Sequence, residues 1–421
     1  MKQKKASLWT RDFIVVIAAT FFTGIVMGIL DSCLAPFAND MFSSKTLGGY
    51  LTSLFNLGSI IMAFFSGRFV DLRGRKKMFF VGAIIFAIPT FVCAAFPTPT
   101  VSLTTRFIQG LGKAIVGVAG ASIVADIVPA DRLGEGMSLY GLGSTLARAF
   151  GPSIGLAICE GSGYNMMFFV SAAVYALAGV VILFSNYESK PEYKALIAQK
   201  TLAAESANAA VGAEYKGVWK LVEKRAFLAS INYTIYFAAT AALLVFNTTF
   251  SQEVLGLSSG QIGTFYIVSS VTILIGRMFL GSLSDKNALY SLVPSYIFLF
   301  LMYIVLMNFC VGNYFMYLVA AALYGLATCV AMATYNSIAI VDSPKGRNAA
   351  ANAVFYFLMD AGMMVAAGAL GPVIDAMETP AAGYRVCFEI SMLVAGVALV
   401  MTLVCFSNKA RAKRRAKYGI D

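Results

Sequence analysis

One device recurs along this chain: a run of about twenty mostly apolar residues, the length that crosses a bilayer as a helix. Twelve such runs occur, over 12–34, 48–67, 78–96, 102–126, 137–158, 165–185, 228–250, 261–281, 289–310, 314–340, 350–371 and 385–406. Hydrocarbon offers the backbone no hydrogen-bond partner, so each run is predicted to be a helix that satisfies itself. Composition agrees, with 13% charged residues against roughly 25% in an average soluble domain. The expected fold is an all-α membrane protein of twelve transmembrane helices. The only long hydrophilic stretch, 187–227, divides it into six-helix halves, 1–186 and 228–421. The first run continues to about Pro36, beyond the ~7–15 residues of a signal-peptide apolar region, and is read as a retained span.

The net charge of +11 does not imply a nucleic-acid partner, because its placement follows a membrane pattern. With a cytoplasmic N-terminus, 26 of the 32 Lys and Arg residues fall on the cytoplasmic side, while the outer loops keep only Lys45 and Arg385. The bias predicts a multi-pass protein of the cytoplasmic membrane with both termini inside. The basic tail, 409–417, is expected to lie against anionic head groups. There is no histidine, which excludes histidine triads, zinc–histidine sites and histidine proton relays. The seven cysteines form no Cys-x-x-Cys pair and read as small apolar residues. No nucleophile–base pair, metal cluster or nucleotide loop marks an enzyme. The expected partners are a small-molecule substrate, protons and the lipid bilayer, with no cofactor and a monomeric chain.

The halves echo each other. Gly67-Arg-Phe-Val-Asp71 corresponds to Gly281-Ser-Leu-Ser-Asp285, Gly110-Leu-Gly to Gly325-Leu-Ala, and Gly151-Pro152 to Gly371-Pro372, at offsets of 214, 215 and 220. Duplicated bundles of this kind hold their substrate near mid-membrane, between the repeats.

The loop Gly67-Arg-Phe-Val-Asp71-Leu-Arg-Gly-Arg75-Lys-Lys77, between the second and third spans, resembles the loop signature of the major facilitator superfamily. Arg106-Phe-Ile-Gln109-Gly110 in the fourth span is similar to that family's Arg-x-x-Gln-Gly motif. Gly151, Pro152 and Gly155 in the fifth resemble the Gly-Pro motif of its proton-driven exporters, although Leu156 stands where a second glycine usually follows. The resemblance covers essentially the whole chain. It implies two pseudo-symmetric six-helix bundles that rock around a central cavity, and it points to the branch of drug:proton antiporters.

Read physically, Gly67 permits close helix approach, and Asp71 suits the free amides of a helix N-terminus. Arg75 suits a carboxylate, with Asp126 as the expected partner. These residues would latch the cytoplasmic side, and Arg277 with Asp285 would form a second latch. Gly151, Pro152 and Gly155 would give the fifth span a close-packed, bent pivot.

An ionisable group inside a span costs at least ~2.5–3.5 kcal/mol and therefore tends to serve function. At 1.5 Å per residue, Asp31 and Arg106 lie near the outer side, Arg106 about 6 Å in, and are expected to pair. Lys113, Arg148 and Asp360 each lie about 15–16 Å in, near mid-membrane. Arg106, Gln109 and Lys113 follow i, i+3, i+7 and share a helix face, which makes a cationic wall. The proton affinity of a carboxylate rises on burial and falls beside a cation, so Asp360 is the expected proton site. Asn232, Tyr236 and Tyr335 are expected substrate contacts. The preferred function is proton-coupled export of a small organic compound by alternating access. The alternative is an organic-anion symporter or exchanger gripping its substrate through Lys113 and Arg148.

Overall fold

The computed structural model describes residues 8–129, 132–189, 223–344 and 347–407. Most of the 187–227 connection and the tail 409–417 lie outside the described residues. The first half contains α1 (Arg11–Phe42), α2 (Lys45–Arg73), α3 (Arg75–Ala95), α4 (Pro99–Ile127) and α5 (Leu133–Ile182). The second contains α6 (Phe227–Ala238), α7 (Ala241–Glu253), α8 (Ser259–Lys286), α9 (Ala288–Asn308), α10 (Tyr314–Thr328), α11 (Ala331–Val341), α12 (Asn348–Asp375) and α13 (Pro380–Cys405). Among the described residues, eleven helical stretches are long and apolar enough to span a bilayer. The longest holds two spans: α5 departs from helical geometry at Gly163 (φ 79°, ψ 174°), within the predicted gap between the fifth and sixth runs.

Side-chain caps start several helices. Thr98 and Thr379 each accept a backbone N–H, from Val101 and Ala382, and each precedes a proline at the first helical position. Ser258 and Gln261 form a reciprocal capping box on α8.

The seventh and tenth runs, predicted as continuous, are each broken. One breaks at Ala239–Thr240 between α6 and α7, the other at Cys329–Val330 between α10 and α11. A break releases carbonyls that lipid cannot satisfy. Side chains take them: Tyr303 Oη donates to the Ala239 carbonyl at 2.6 Å, Tyr236 Oη to Ala327 at 2.7 Å, and Arg277 Nε to Cys329 at 3.2 Å.

By packing, the chain divides into two compact units, Met1–Leu30 with Leu54–Glu214 and Asp31–Ser53 with Tyr215–Asp421. The segment Asp31–Ser53 therefore belongs with the second half of the sequence, and the reason lies in its contacts within that unit. Asp375, ending α12, accepts the free backbone N–H groups of Lys45 and Thr46 at 3.2 and 2.7 Å, an anion on a helix N-terminus. Lys45 Nζ lies 3.1 Å from Glu253, whose other oxygen accepts from Tyr384. Below these, a Cβ on Gly49 would stand 2.2 Å from the Ala367 carbonyl, and Ser53 donates to the Met364 carbonyl at 2.7 Å.

At the start of α6, Glu223 and Arg347 form a buried ion pair at 2.7 Å, their side chains 2% and 4% exposed. Arg347→Ala strands the Glu223 carboxylate. It is expected to cost about 3–5 kcal/mol, read as a lowered thermal unfolding midpoint of the purified protein in detergent.

Candidate transport site

In the first unit α4 is clasped by its neighbours through glycines. A Cβ on Gly110 would stand 2.1 Å from the Phe55 carbonyl, and one on Gly58 the same distance from the Phe107 carbonyl. On the α3 side, a Cβ on Gly112 would stand 2.7 Å from the Gly82 carbonyl. Small residues let backbones meet in lipid, where no hydrophobic drive brings helices together. The crossing sets Phe55 and Ser59 of α2 against the polar face of α4.

That face carries the predicted triplet. Arg106 is 2% exposed; its guanidinium carbon lies 4.1 Å from the centroid of Phe55, and Nη1 donates to Gln109 Oε1 at 2.8 Å. Gln109 Nε2 in turn donates to Thr90 on α3 at 3.0 Å. Lys113 is half-buried, with Nζ 3.1 Å from Ser59 Oγ and 5.9 Å from the same Phe55 ring. Two cations thus lie over one aromatic ring, with Gln109 and Ser59 among their hydrogen-bond partners. Asp31 falls in the second unit and Arg106 in the first. Arg148, on α5, is exposed.

The pivot residues pack as a seam between α1 and α5. A Cβ on Gly151 would lie 2.5 Å from the Ile25 carbonyl, one on Gly28 would lie 2.6 Å from that of Arg148, and Pro152 and Gly155 are buried. The matching Gly24 and Gly28 on α1 were missed by sequence reasoning, although their Gly-x-x-x-Gly spacing was a usable signal.

Arg75 is ion-paired with Asp126, both side chains largely buried. Nearby, Glu188 accepts the Lys76 N–H at 2.8 Å and so caps α3, a role no local pattern around Glu188 announced. Gly67 departs from expectation: a Cβ there would meet no described atom within 4 Å, so no close helix approach rests on it in this conformation. The side chains of Asp71 and Asp285 lie outside the described residues. Arg277 was assigned to a latch with Asp285, but its Nε is engaged by the Cys329 carbonyl at the α10–α11 break.

In the second unit, Asn232, Tyr236 and Tyr335 are enclosed. Tyr335 Oη lies 2.6 Å from Thr402 Oγ1 and 2.9 Å from Tyr296 Oη, and the Asn232 carboxamide lies 3.1 Å from Thr402. Their polar groups tie α6, α9, α11 and α13 together. Asp360 on α12 is 8% exposed. Asn352, Tyr356 and Asp360 recur at i, i+4, i+8 and form one polar stripe along an apolar helix. Tyr356 interacts with Asp360 and with Asn336 of α11, and it is 42% exposed. The buried Oδ1 atoms of Asn336 and Asn352 make no hydrogen bond among the described residues, an arrangement that accommodates a polar guest better than a dry core.

Residues 13–367 match the sequence profile of the Major Facilitator Superfamily. The chain belongs to that family. It is a multi-pass membrane protein. It is 27% identical over 307 residues to the MFS transporter cpaT of Aspergillus oryzae, covering 67% of this chain and 60% of that one. It is 27% identical over 177 residues to Multidrug resistance protein 2 of Bacillus subtilis (strain 168), covering 42% and 44%. The chain thus spans less than two thirds of the length of either relative. Its fold matches the crystal structure of a D-xylose-proton symporter with a TM-score of 0.71 at 15% identity, over 92% of this chain and 96% of that one.

Proposed function

We propose that the chain is a proton-coupled exporter of a small organic compound, working by alternating access in the cytoplasmic membrane with both termini inside. The observation that carries this reading is Asp360: a buried carboxylate in the middle of a spanning helix, one turn from an exposed tyrosine that also interacts with Asn336 of α11. A carboxylate there needs a proton or a cation to be tolerated in hydrocarbon. In the exporter reading, Asp360 takes up a proton when open to the outside and yields it inside, and Tyr356 bridges it to the entry. The halves 1–186 and 228–421 move around the 187–227 connection. Gly151, Pro152 and Gly155 serve as the pivot. The Arg75–Asp126 pair, with Asp71, holds the cytoplasmic end, and Arg277 and Asp285 belong to the same end of the second half. Relatives named for multidrug resistance and an efflux pump support the direction of transport.

A second reading, transport of an organic anion, is favoured by Lys113 and Arg106, both over the Phe55 ring. The two separate in proteoliposomes loaded with labelled organic cations or anions and given an inward acid gradient. Cation efflux that follows the gradient supports export. Lys113→Ala is expected to leave such efflux within about twofold of wild type. If anions alone move and Lys113→Ala lowers their uptake about tenfold, the loss of a charge-assisted contact, the anion reading replaces the exporter reading.

A further inference from the structure

A further groove lies on the flank of α13. A groove of about 800 Å³ runs along this helix beside Phe300 of α9, floored by Met392, Gly396, Val400 and Met401, with Glu389 at its mouth. Gly396 makes the floor: a Cβ there would just touch Phe300, at 4.0 Å, so any longer side chain would project into the groove.

The mouth is charged. Arg385 Nε donates to Glu389 Oε1 at 3.2 Å, and the side chains are 61% and 52% exposed. This contact uses one edge of each group. Among the described residues it leaves the Arg385 Nη groups and Glu389 Oε2 without a protein partner. From the start of α13 at Pro380, Arg385 lies about 7 Å and Glu389 about 13 Å along the axis, the depth of the head-group layer and its inner edge. An ionised carboxylate open to lipid at that depth calls for a cationic hydrogen-bond donor. From Glu389 to Met401 the groove runs about 18 Å, close to the ~15 Å of hydrocarbon in one leaflet.

We infer that this groove is a binding site for a phospholipid carrying a phosphoethanolamine head group. The phosphate accepts from the Arg385 guanidinium, the primary ammonium donates to Glu389, and one acyl chain lies over Gly396 against Phe300. A choline head group keeps the charge but has no N–H to donate. A glycerol head group lacks the cation and leaves Glu389 facing a net anion.

The test uses the full chain purified in detergent and incubated with equimolar dioleoyl phosphatidylethanolamine, phosphatidylcholine and phosphatidylglycerol. Co-purifying lipid is counted by mass spectrometry. The ethanolamine lipid is expected to be retained about tenfold over the choline lipid, the difference one charge-assisted hydrogen bond makes. Glu389→Gln is expected to bring the two level, and Gly396→Leu to lower retention of all three. Arg385→Gln with Glu389→Gln, a neutral pair at the same sites, serves if the single variant does not fold. Equal retention of the three lipids, or retention untouched by these variants, overturns the proposal. A two-chain species that Gly396→Leu dissolves overturns it in favour of a second copy as occupant.

Discussion

Asp360→Asn is expected to abolish the coupling of transport to an acid gradient while sparing the pathway. In proteoliposomes, gradient-driven movement of the substrate should fall at least tenfold, equivalent to about 1.4 kcal/mol or more on the barrier of the coupled step. Exchange of labelled for unlabelled substrate, which needs no net proton movement, should persist near the wild-type rate. Asparagine keeps the volume and hydrogen-bonding capacity of the side chain but cannot carry a proton between the two faces. Asp360→Glu should restore part of the coupled rate, because the titratable group is back one methylene further along. Tyr356→Phe should move the pH profile without removing coupling, since Tyr356 interacts electrostatically with Asp360 one helical turn away and is itself exposed. Full gradient-driven transport by Asp360→Asn would place the coupling group elsewhere.

The second large effect is predicted for a methyl group. Gly110→Ala would set a Cβ 2.1 Å from the Phe55 carbonyl oxygen and 2.9 Å from the Ser59 amide nitrogen. Those are backbone atoms, so no side chain can swing aside. The helices must separate, and the cost should reach or exceed the upper end of the ~1–3 kcal/mol typical of overpacking. Little monodisperse protein should be recovered, with an unfolding midpoint well below wild type. The control is on the same helix: no described atom lies within 4 Å of a Cβ on Gly117. Gly117→Ala should be neutral or stabilise by up to ~1 kcal/mol through helix propensity. Because the α2–α4 crossing also sets Phe55 and Ser59 against Arg106 and Lys113, any Gly110→Ala protein that folds should bind anionic probes differently from wild type.

These residues show what the sequence could reveal. The face shared by Arg106, Gln109 and Lys113 was legible because helical spacing alone fixes it, and the spans were legible because hydrocarbon imposes one length. The breaks at Ala239 and Cys329 were not. Neither site carries a Pro or Gly pair, and the donors that stabilise them, Tyr303, Tyr236 and Arg277, are distant in sequence or on other spans. Asn232, Tyr236 and Tyr335 could be placed on their helices but not rotated: whether a polar side chain faces a cavity or a neighbour depends on packing that one strand of text does not contain. The Glu223–Arg347 pair escaped notice because Arg347 reads equally well as one more topogenic cation.

The two interrupted spans carry a mechanical consequence. A continuous helix resists bending along its length, whereas a rod in two pieces swivels at the joint for little energy. Here each joint is clamped from outside its own span, by a phenol or a guanidinium reaching across to it. Whatever shifts α8 or α9 by an ångström therefore loosens or tightens a joint elsewhere, so a small push at the rim of the second half becomes a change of tilt deep within it.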